Sequence, residues 1–171
     1  MAEIVSIEQR TGFGLAAIMA RRGDRGAIAA ALGCALPSGP AVTEPALTHA
    51  GGLRLIGTGP GTWLALSDVG AHALAANLTA RLAGLASISD QSSGYVLFRI
   101  SGTGARRLLQ RGAAIDFDPA VFRPGWAATT TIAHMGVIVW QVDDAPSYEI
   151  ALFRSYAGSF RHWLDTAAAA L

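Results

Sequence analysis

Three residues at or just before the start of one predicted strand, the central strand of this sequence, are its best candidates for ligand chemistry. Asp90 and Ser92 stand shortly before a strand predicted over residues 94–101, and Tyr95 lies one step into it. A carboxylate there can hydrogen-bond the ring nitrogens of a flat ligand, and Tyr95 offers an aromatic wall. The same Asp-Gln-Ser stretch is also typical of a turn in which Asp binds its own backbone. Both interpretations stand, and the turn is the commoner use of Asp.

Other motifs with known chemistry are incomplete in this chain. Gly102-x-Gly104 follows a predicted strand and opens a helix, but Arg107 occupies the position of the third glycine of a dinucleotide fingerprint. No Gly-x-Ser-x-Gly elbow supplies a nucleophilic serine, and the four histidines lack the spacing of metal ligands. Cys34 is the only cysteine, which excludes an internal disulfide. We therefore predict no catalytic residue and no metal site in this chain.

Composition narrows the class of protein. Of the 171 residues, 51% are hydrophobic and 15% are charged, and the net charge is +1. Such a chain can bury a core, but it lacks the basic surface that tracks phosphates or anionic membranes, so we expect no nucleic-acid partner. No apolar run reaches the roughly 18 residues of a membrane span, and Glu3 and Glu8 stand in place of a basic leader. We expect a cytoplasmic protein with no membrane contact, whose apolar surface meets a protein partner.

Strand and helix patterns alternate in a fixed order along the chain. Residues 1–10 look like a loosely held lead-in, and the order of strand, helix, two or three strands and helix then occurs twice. The helix after the central strand ends at Gly112, where we expect a left-handed glycine. This order predicts an α+β fold of two intertwined split β-α-β, ferredoxin-like halves.

The two halves of the sequence also resemble each other, as expected after an internal duplication. Residues 62–78 align with residues 148–164 without a gap and share Ala, Leu, Ala and Leu at four positions. We predict a single compact domain of two pseudo-repeats, about 11–84 and 86–169, with Leu66 and Leu152 on equivalent strands.

Large aromatic and cationic side chains supply candidates for a partner surface. Aromatic residues and Arg carry much of the binding energy of protein interfaces, and Arg can pair with a partner's carboxylate. The candidates are Trp63, Arg99, Phe122, Trp126, Arg154 and Trp163. The alternative is a core position for each aromatic residue and a solvated position for each Arg.

From about residue 53 onward, a series of motifs forms one continuous pattern. It runs from D-x-S through I-S-G-x-x-A-x-x-L-L, D-x-x-P, F-x-P-G and a Thr-rich strand to R-S-Y-A and W-L. It is carried by Asp90, Ser92, Ile100, Ser101, Gly102, Ala105, Leu108, Leu109, Gly112, Asp116, Pro119, Phe122, Pro124, Gly125, Thr129, Arg154, Ser155, Tyr156, Ala157, Trp163 and Leu164, with Gly59-Pro60 and Trp63-Leu64 as a further match.

This pattern resembles the gamma subunit family of heterotetrameric sarcosine oxidase, and the resemblance implies a fold, a set of partners and a role. The family is similar in fold to the first part of glycine-cleavage T-protein and related folate-binding domains. In the assembled enzyme sarcosine is oxidatively demethylated to glycine, and the FAD, FMN, NAD, zinc and tetrahydrofolate sites belong to other subunits. The resemblance therefore implies a non-catalytic, structural subunit that holds no cofactor and has alpha, beta and delta subunits as partners. The alternative is a stand-alone tetrahydrofolate-binding protein of one-carbon metabolism, in which Asp90 helps hold the pterin.

Overall fold

The structure, a computed structural model, describes residues 4–21, 24–37, 42–43, 52–68 and 71–171. The chain folds into two units. The middle unit is Gly12–Ser93, and the terminal unit combines the N-terminal segment through Thr11 with Gly94–Leu171. The terminal unit therefore takes its residues from both ends of the chain, with the middle unit inserted between them in sequence.

The middle unit contains one five-stranded antiparallel sheet and two helices. Its elements in chain order are β2 (Gly14–Ala20), α1 (Arg25–Leu32), β3 (Val42–Thr43), β4 (Leu53–Gly59), β5 (Thr62–Ser67), α2 (Leu74–Arg81, after a 3-10 turn at Ala71–Ala73) and β6 (Ala86–Asp90). The strands lie in the order β3-β4-β5-β2-β6. Helix α2 has Leu82 as its C-cap residue.

The terminal unit has a second five-stranded antiparallel sheet. Its elements are β1 (Ser6–Arg10), β7 (Tyr95–Ser101), α3 (Ala105–Gln110), β8 (Ala127–Ile132), β9 (Met135–Asp143), β10 (Ser147–Phe153) and α4 (Ala157–Ala169, after a 3-10 turn at Arg154–Tyr156). The strands lie in the order β1-β7-β10-β9-β8.

Both sheets share one topology. In the middle unit the chain order β2-α1-β4-β5-α2-β6 gives the spatial order β4-β5-β2-β6, with β3 outside β4. In the terminal unit the spatial order is β9-β10-β7-β1, with β8 outside β9. Each is a split β-α-β arrangement, so the expected α+β fold class is confirmed. Leu66 in β5 and Leu152 in β10 lie on corresponding strands.

The N-terminal strand corrects one expectation. Ser6–Arg10 pairs antiparallel with β7, so that Ile7 stands opposite Ile100, and β1 takes the position that β6 holds in the middle unit. The prediction of a loose lead-in was therefore wrong for residues 6–10. β6, which the repeat boundaries placed in the second half, pairs with β2 in the middle unit. The fourth strand of the middle sheet thus follows its last helix, α2, whereas the fourth strand of the terminal sheet comes from the N-terminal segment, before the middle unit in sequence.

Helix ends follow local chemistry at α1 but not at α3. The Asp24 carboxylate accepts a hydrogen bond of 2.9 Å from the Ala27 N–H, and Gly33 ends α1 at φ 63°. Gly112 was expected to be left-handed in the same way, but it is not among the residues with positive φ. A Cβ atom there would lie 2.5 Å from Cζ2 of Trp163, so this position needs a glycine because an indole ring packs against it.

The core of the terminal unit lies on the face of its sheet that carries α3 and α4. Phe98 of β7 packs 5.5 Å, ring to ring, from Phe160 of α4, and both are fully buried together with Leu108 of α3. Tyr148 of β10 stands 5.3 Å from the ring of Phe117, which comes from the connection after α3. Burial of these large rings out of water is the main stabilising contribution to this unit.

A buried ion pair lies on the opposite face of the same sheet. Side chains alternate along β10, so Glu149 points away from the core that contains Tyr148. Glu149 is fully buried, with Arg10 Nη1 2.5 Å from its Oε1 and Trp140 Nε1 donating to its Oε2 at 3.1 Å. Arg10 belongs to β1 and Glu149 to β10, and β7 lies between these strands. The ion pair therefore joins β1 to β10 across the intervening strand β7.

We predict that Arg10→Met lowers the free energy of unfolding by on the order of 3 kcal/mol, because it leaves a buried carboxylate without its cation. The matched control is Arg161→Met, which removes an exposed partner of Asp165 and should cost no more than about 0.5 kcal/mol. Urea denaturation of both variants measures the difference. Equal losses of unfolding free energy in the two variants would mean that other groups compensate the charge of Glu149 when Arg10 is absent.

We also predict that Gly112→Ala destabilises the protein by about 1–3 kcal/mol, since the new methyl group overlaps Trp163. Gly136→Ala is the matched control, because nothing lies within 4 Å of a Cβ atom at that position. Thermal unfolding should show a clear drop only for the first variant, and Trp163→Leu should recover part of the loss in the double variant. A Gly112→Ala protein as stable as the control would refute the packing argument.

Candidate functional site

Asp90 and Ser92 form a hydrogen-bonded turn at the end of β6. The Asp90 Oδ1 accepts a bond of 2.9 Å from the Ser92 N–H. This backbone bond, and to a smaller extent the nearby Ser92 hydroxyl, hold the pKa of the exposed Asp90 carboxyl below its usual range. The Ser92 Oγ in turn accepts from the Leu15 N–H at 3.0 Å and donates to the Leu15 carbonyl at 3.2 Å. Both side chains are thus engaged in joining the end of β6 to the start of β2.

Tyr95, the third predicted ligand residue, belongs to the terminal unit, whereas Asp90 and Ser92 belong to the middle unit. Its ring lies 4.8 Å from that of Phe153, the residue directly opposite on β10. The Tyr95 carbonyl accepts a bond of 3.2 Å from Arg154 Nη2. Phe153 is 52% exposed, and the sequence analysis missed it as a surface aromatic. The available signal was its position at the end of the strand, where side-chain alternation puts it on the same face as Ala151 and Glu149 and away from the core.

Two of the predicted interface residues are core residues instead. Trp63 is 1% exposed, donates from Nε1 to the Pro37 carbonyl at 3.2 Å and has the Arg25 guanidinium 5.2 Å above its ring. Phe122 is 4% exposed and packs edge-on to Phe117 at 5.2 Å. Neither ring is accessible to a partner. The alternative for aromatic residues, a core position, holds at both sites.

Trp163 and Arg99 are partly accessible. The Trp163 ring stacks on Phe160 at 5.8 Å and covers the backbone of Gly112, so most of its contacts are internal. Arg99 lies 3.8 Å from Asp143 Oδ2, and both side chains are well solvated. An exposed pair at this distance contributes little to stability, so a partner could displace it at low cost.

Trp126 is the most exposed of the four tryptophans within the described residues, at 44%. The Arg123 guanidinium stands 5.9 Å from the centre of its ring, a cation–π geometry. Val121, earlier in the same loop, is also exposed. This loop therefore presents an aromatic ring, a cation and an apolar side chain together, which is the composition of an interface centre.

The single cysteine of the sequence, Cys34, is a free and partly buried thiol. Burial raises the pKa of the Cys34 thiol, and the charge of Arg81 lowers it by less, so the thiol is not an activated nucleophile. Within these residues, no three His, Cys, Asp or Glu side chains gather at metal-binding distance. No helix in this part of the chain is long and apolar enough to cross a membrane.

Comparison with known proteins identifies the family. The model of the sarcosine oxidase gamma subunit family matches residues 22–170. The chain belongs to this family. Among its relatives, sarcosine oxidase subunit gamma of Corynebacterium sp. (strain P-1) is 30% identical over 81% of this chain and 66% of the relative. The subunit gamma of Arthrobacter sp. is 31% identical over 71% of this chain and 59% of the relative. Family membership thus confirms the resemblance, although this chain spans only about two thirds of the length of these relatives.

Solved structures agree with the fold. A chain of heterotetrameric sarcosine oxidase from Corynebacterium sp. U-96, in complex with pyrrole 2-carboxylate, has a TM-score of 0.84 and 24% identity, covering 96% of this chain and 84% of that chain. Glycine cleavage system aminomethyltransferase T from Bartonella henselae has a TM-score of 0.72 and 16% identity, covering 94% of this chain and 45% of that chain. The expected similarity of fold between this family and T-protein is therefore confirmed.

We predict that the Asp90 carboxyl titrates below the ordinary Asp value, because Ser92 hydrogen-bonds its ionised form. Its stabilising contribution is present above the pKa of the unfolded chain and is lost as the pH falls through the lower folded pKa. A pH titration of the side-chain carboxyl by NMR measures this. Ser92→Ala should raise the midpoint only part of the way, since the backbone bond remains. A midpoint at or above the ordinary Asp value would contradict the turn geometry.

Proposed function

We propose that this chain is a non-catalytic, structural subunit of a heterotetrameric sarcosine oxidase. The observation that carries the proposal is the family match over residues 22–170. The fold likeness to a chain of a solved heterotetrameric sarcosine oxidase supports it. In this proposal the partners are alpha, beta and delta subunits, in the cytoplasm, and the assembled enzyme demethylates sarcosine oxidatively to glycine.

The geometry of the polar residues supports a structural role for this chain. Asp90 and Ser92 are occupied by bonds within the middle unit, and burial leaves the Cys34 thiol without activation. The FAD, FMN, NAD, zinc and tetrahydrofolate of the enzyme would then be held by the other subunits. This chain would contribute a contact surface for the other subunits. The exposed side chains suited to such a surface are aromatic or cationic and include Trp126, Arg123, Phe153 and Arg154.

The alternative is that the chain itself binds tetrahydrofolate. Its motivation is the fold likeness to aminomethyltransferase T, together with an exposed Asp90 at the end of β6. The Ser92 N–H bonds Oδ1, so a ring nitrogen of the ligand would have to bond the second oxygen, Oδ2, or share Oδ1. We favour the structural role because the turn that joins β6 to β2 already accounts for the positions of Asp90 and Ser92.

Co-expression of the chain with alpha, beta and delta subunits from the same organism tests the proposal. We expect the chain to co-purify with them as one complex, and the isolated chain to show neither flavin absorbance nor peroxide formation from sarcosine. Calorimetric titration of the isolated chain with tetrahydrofolate should give no binding in the low-micromolar range. Binding that Asp90→Ala abolishes would favour the alternative, and failure of the wild-type chain to co-purify would refute the structural role.

A further inference from the structure

The connection between α3 and β8 ends in a loop, residues 118–126, that carries apolar and cationic side chains on its surface. Val121 is 52% exposed and Trp126 is 44% exposed. The guanidinium of Arg123, also exposed, stands 5.9 Å from the centre of the Trp126 ring. Trp and Arg are the side chains that most often dominate the binding energy of a protein interface. The 118–126 loop therefore has the composition of a contact site.

The first half of the 118–126 loop is fastened to the core. The Asp118 carbonyl accepts hydrogen bonds from the N–H groups of Val121 and Phe122, each at 2.8 Å. The Phe122 ring is buried and packs 5.2 Å from the ring of Phe117. A tight turn and a buried anchor thus fix the backbone from which Val121 is exposed.

The second half of the loop is fastened to the sheet. The Trp126 N–H donates to the Arg123 carbonyl at 2.9 Å, and the Trp126 carbonyl accepts from the Gln141 N–H of β9 at 3.1 Å. The Gly125 N–H donates to the Gln141 carbonyl at 3.2 Å. Both backbone groups of Trp126 are therefore bonded while its ring is exposed. Because the backbone is already ordered, a partner that covers this ring has to order only side chains.

The charge of Arg123 is not compensated by the carboxylates of its own loop. Asp116 and Asp118 each use Oδ1 to accept a backbone N–H two residues further along, from Asp118 and Ala120, at 2.8 Å. Among the residues that the structure describes, no carboxylate lies at ion-pair distance from Arg123. A complementary partner surface would therefore place an acidic side chain beside this guanidinium.

We propose that the 118–126 loop docks on another subunit of the complex, which supplies an apolar recess for the Trp126 ring and a carboxylate for Arg123. The inference depends on the proposed function, since it names the surface through which this chain joins its partners. A second copy would also offer carboxylates, those of Asp116 and Asp118. It is the less suitable occupant, because an enzyme of alpha, beta, gamma and delta subunits contains this chain once.

The first test is competition between tagged wild type and an untagged variant for the alpha, beta and delta subunits. The ratio of the two chains in the purified complex measures their relative affinity. We expect Trp126→Ala to be incorporated at least about tenfold less than wild type. Met19→Ala is the matched control and should be incorporated equally, because it truncates another exposed apolar side chain, 54% exposed, in the middle unit. Thermal unfolding of each isolated variant shows whether it is folded.

The second test concerns the charge of Arg123. We expect Arg123→Gln to be incorporated at least about fivefold less than wild type at low ionic strength, and Arg123→Lys to retain more affinity than Arg123→Gln. The defect of Arg123→Gln should shrink as salt is added, because salt screens the pair that wild type forms. Arg161→Gln, which removes an equal charge from another exposed position, should be incorporated like wild type.

The outcomes separate this inference from the proposed function. If wild type enters the complex and Trp126→Ala and Arg123→Gln enter it equally well, the docking inference is wrong and the proposed function stands. If wild type does not enter the complex, both are wrong. Dimerisation of the isolated chain that Trp126→Ala abolishes would assign the loop to a second copy and overturn the inference. If Trp126→Ala does not fold, the comparison of Arg123→Gln with Arg161→Gln decides.

Discussion

The ion pair between Arg10 and Glu149 is the constraint on which the architecture of the terminal unit depends. A fully buried carboxylate is costly unless a cation and hydrogen-bond donors compensate it, and here Arg10 and Trp140 do so. The cation comes from a residue 139 positions earlier in the chain. It reaches Glu149 only while β1 lies beside β7 in its observed register, because a slip of one residue would turn Arg10 to the other face. The N-terminal segment is thereby fixed as a strand, and the chain must pass through the middle unit before it completes the sheet that this strand begins.

The same alternation of faces decides which aromatic residues can serve a partner. Trp63 points into the core of the middle unit, and Phe122 anchors a loop in the core of the terminal unit. Trp126 lies only four residues beyond Phe122 yet is exposed, because the intervening turn at Gly125 (φ 83°) redirects the chain. A buried ring and an exposed ring in one short loop have complementary roles: the first holds the loop rigid, and the second is displayed by it. Rigid display lowers the entropy that binding must overcome.

The sequence predicted what local pattern and local chemistry control. The strand at residues 94–101 and the turn at Asp90 both depend on neighbours within a few residues, and the structure contains each of them. β1 was missed because it is short and mostly exposed, and its strand partner lies about ninety residues away. Gly112 was misinterpreted for a related reason. A glycine is needed there because Trp163 of α4 packs against it, and rules for helix ends do not include such tertiary contacts. Among the interface candidates, residue type alone could not separate Trp63 from Trp126, since the same ring suits a core and a surface.

The two edges of the terminal sheet are protected in different ways. β1 carries Glu8 and Arg10 and is mostly exposed, and charges on an edge strand oppose the addition of another strand. β8, at the other end, is neutral and rich in Thr, but its outward side is largely covered by the chain itself. Ala127 is buried there, and the Thr131 carbonyl accepts a hydrogen bond from the Ala114 N–H. Charge therefore protects the edge that the N-terminal strand completes, whereas packing and backbone bonds protect the edge beside Trp126. Because a chain with 15% charged residues has few charges to place on a second edge, covering that edge with its own backbone is the remaining way to satisfy the outward groups of β8.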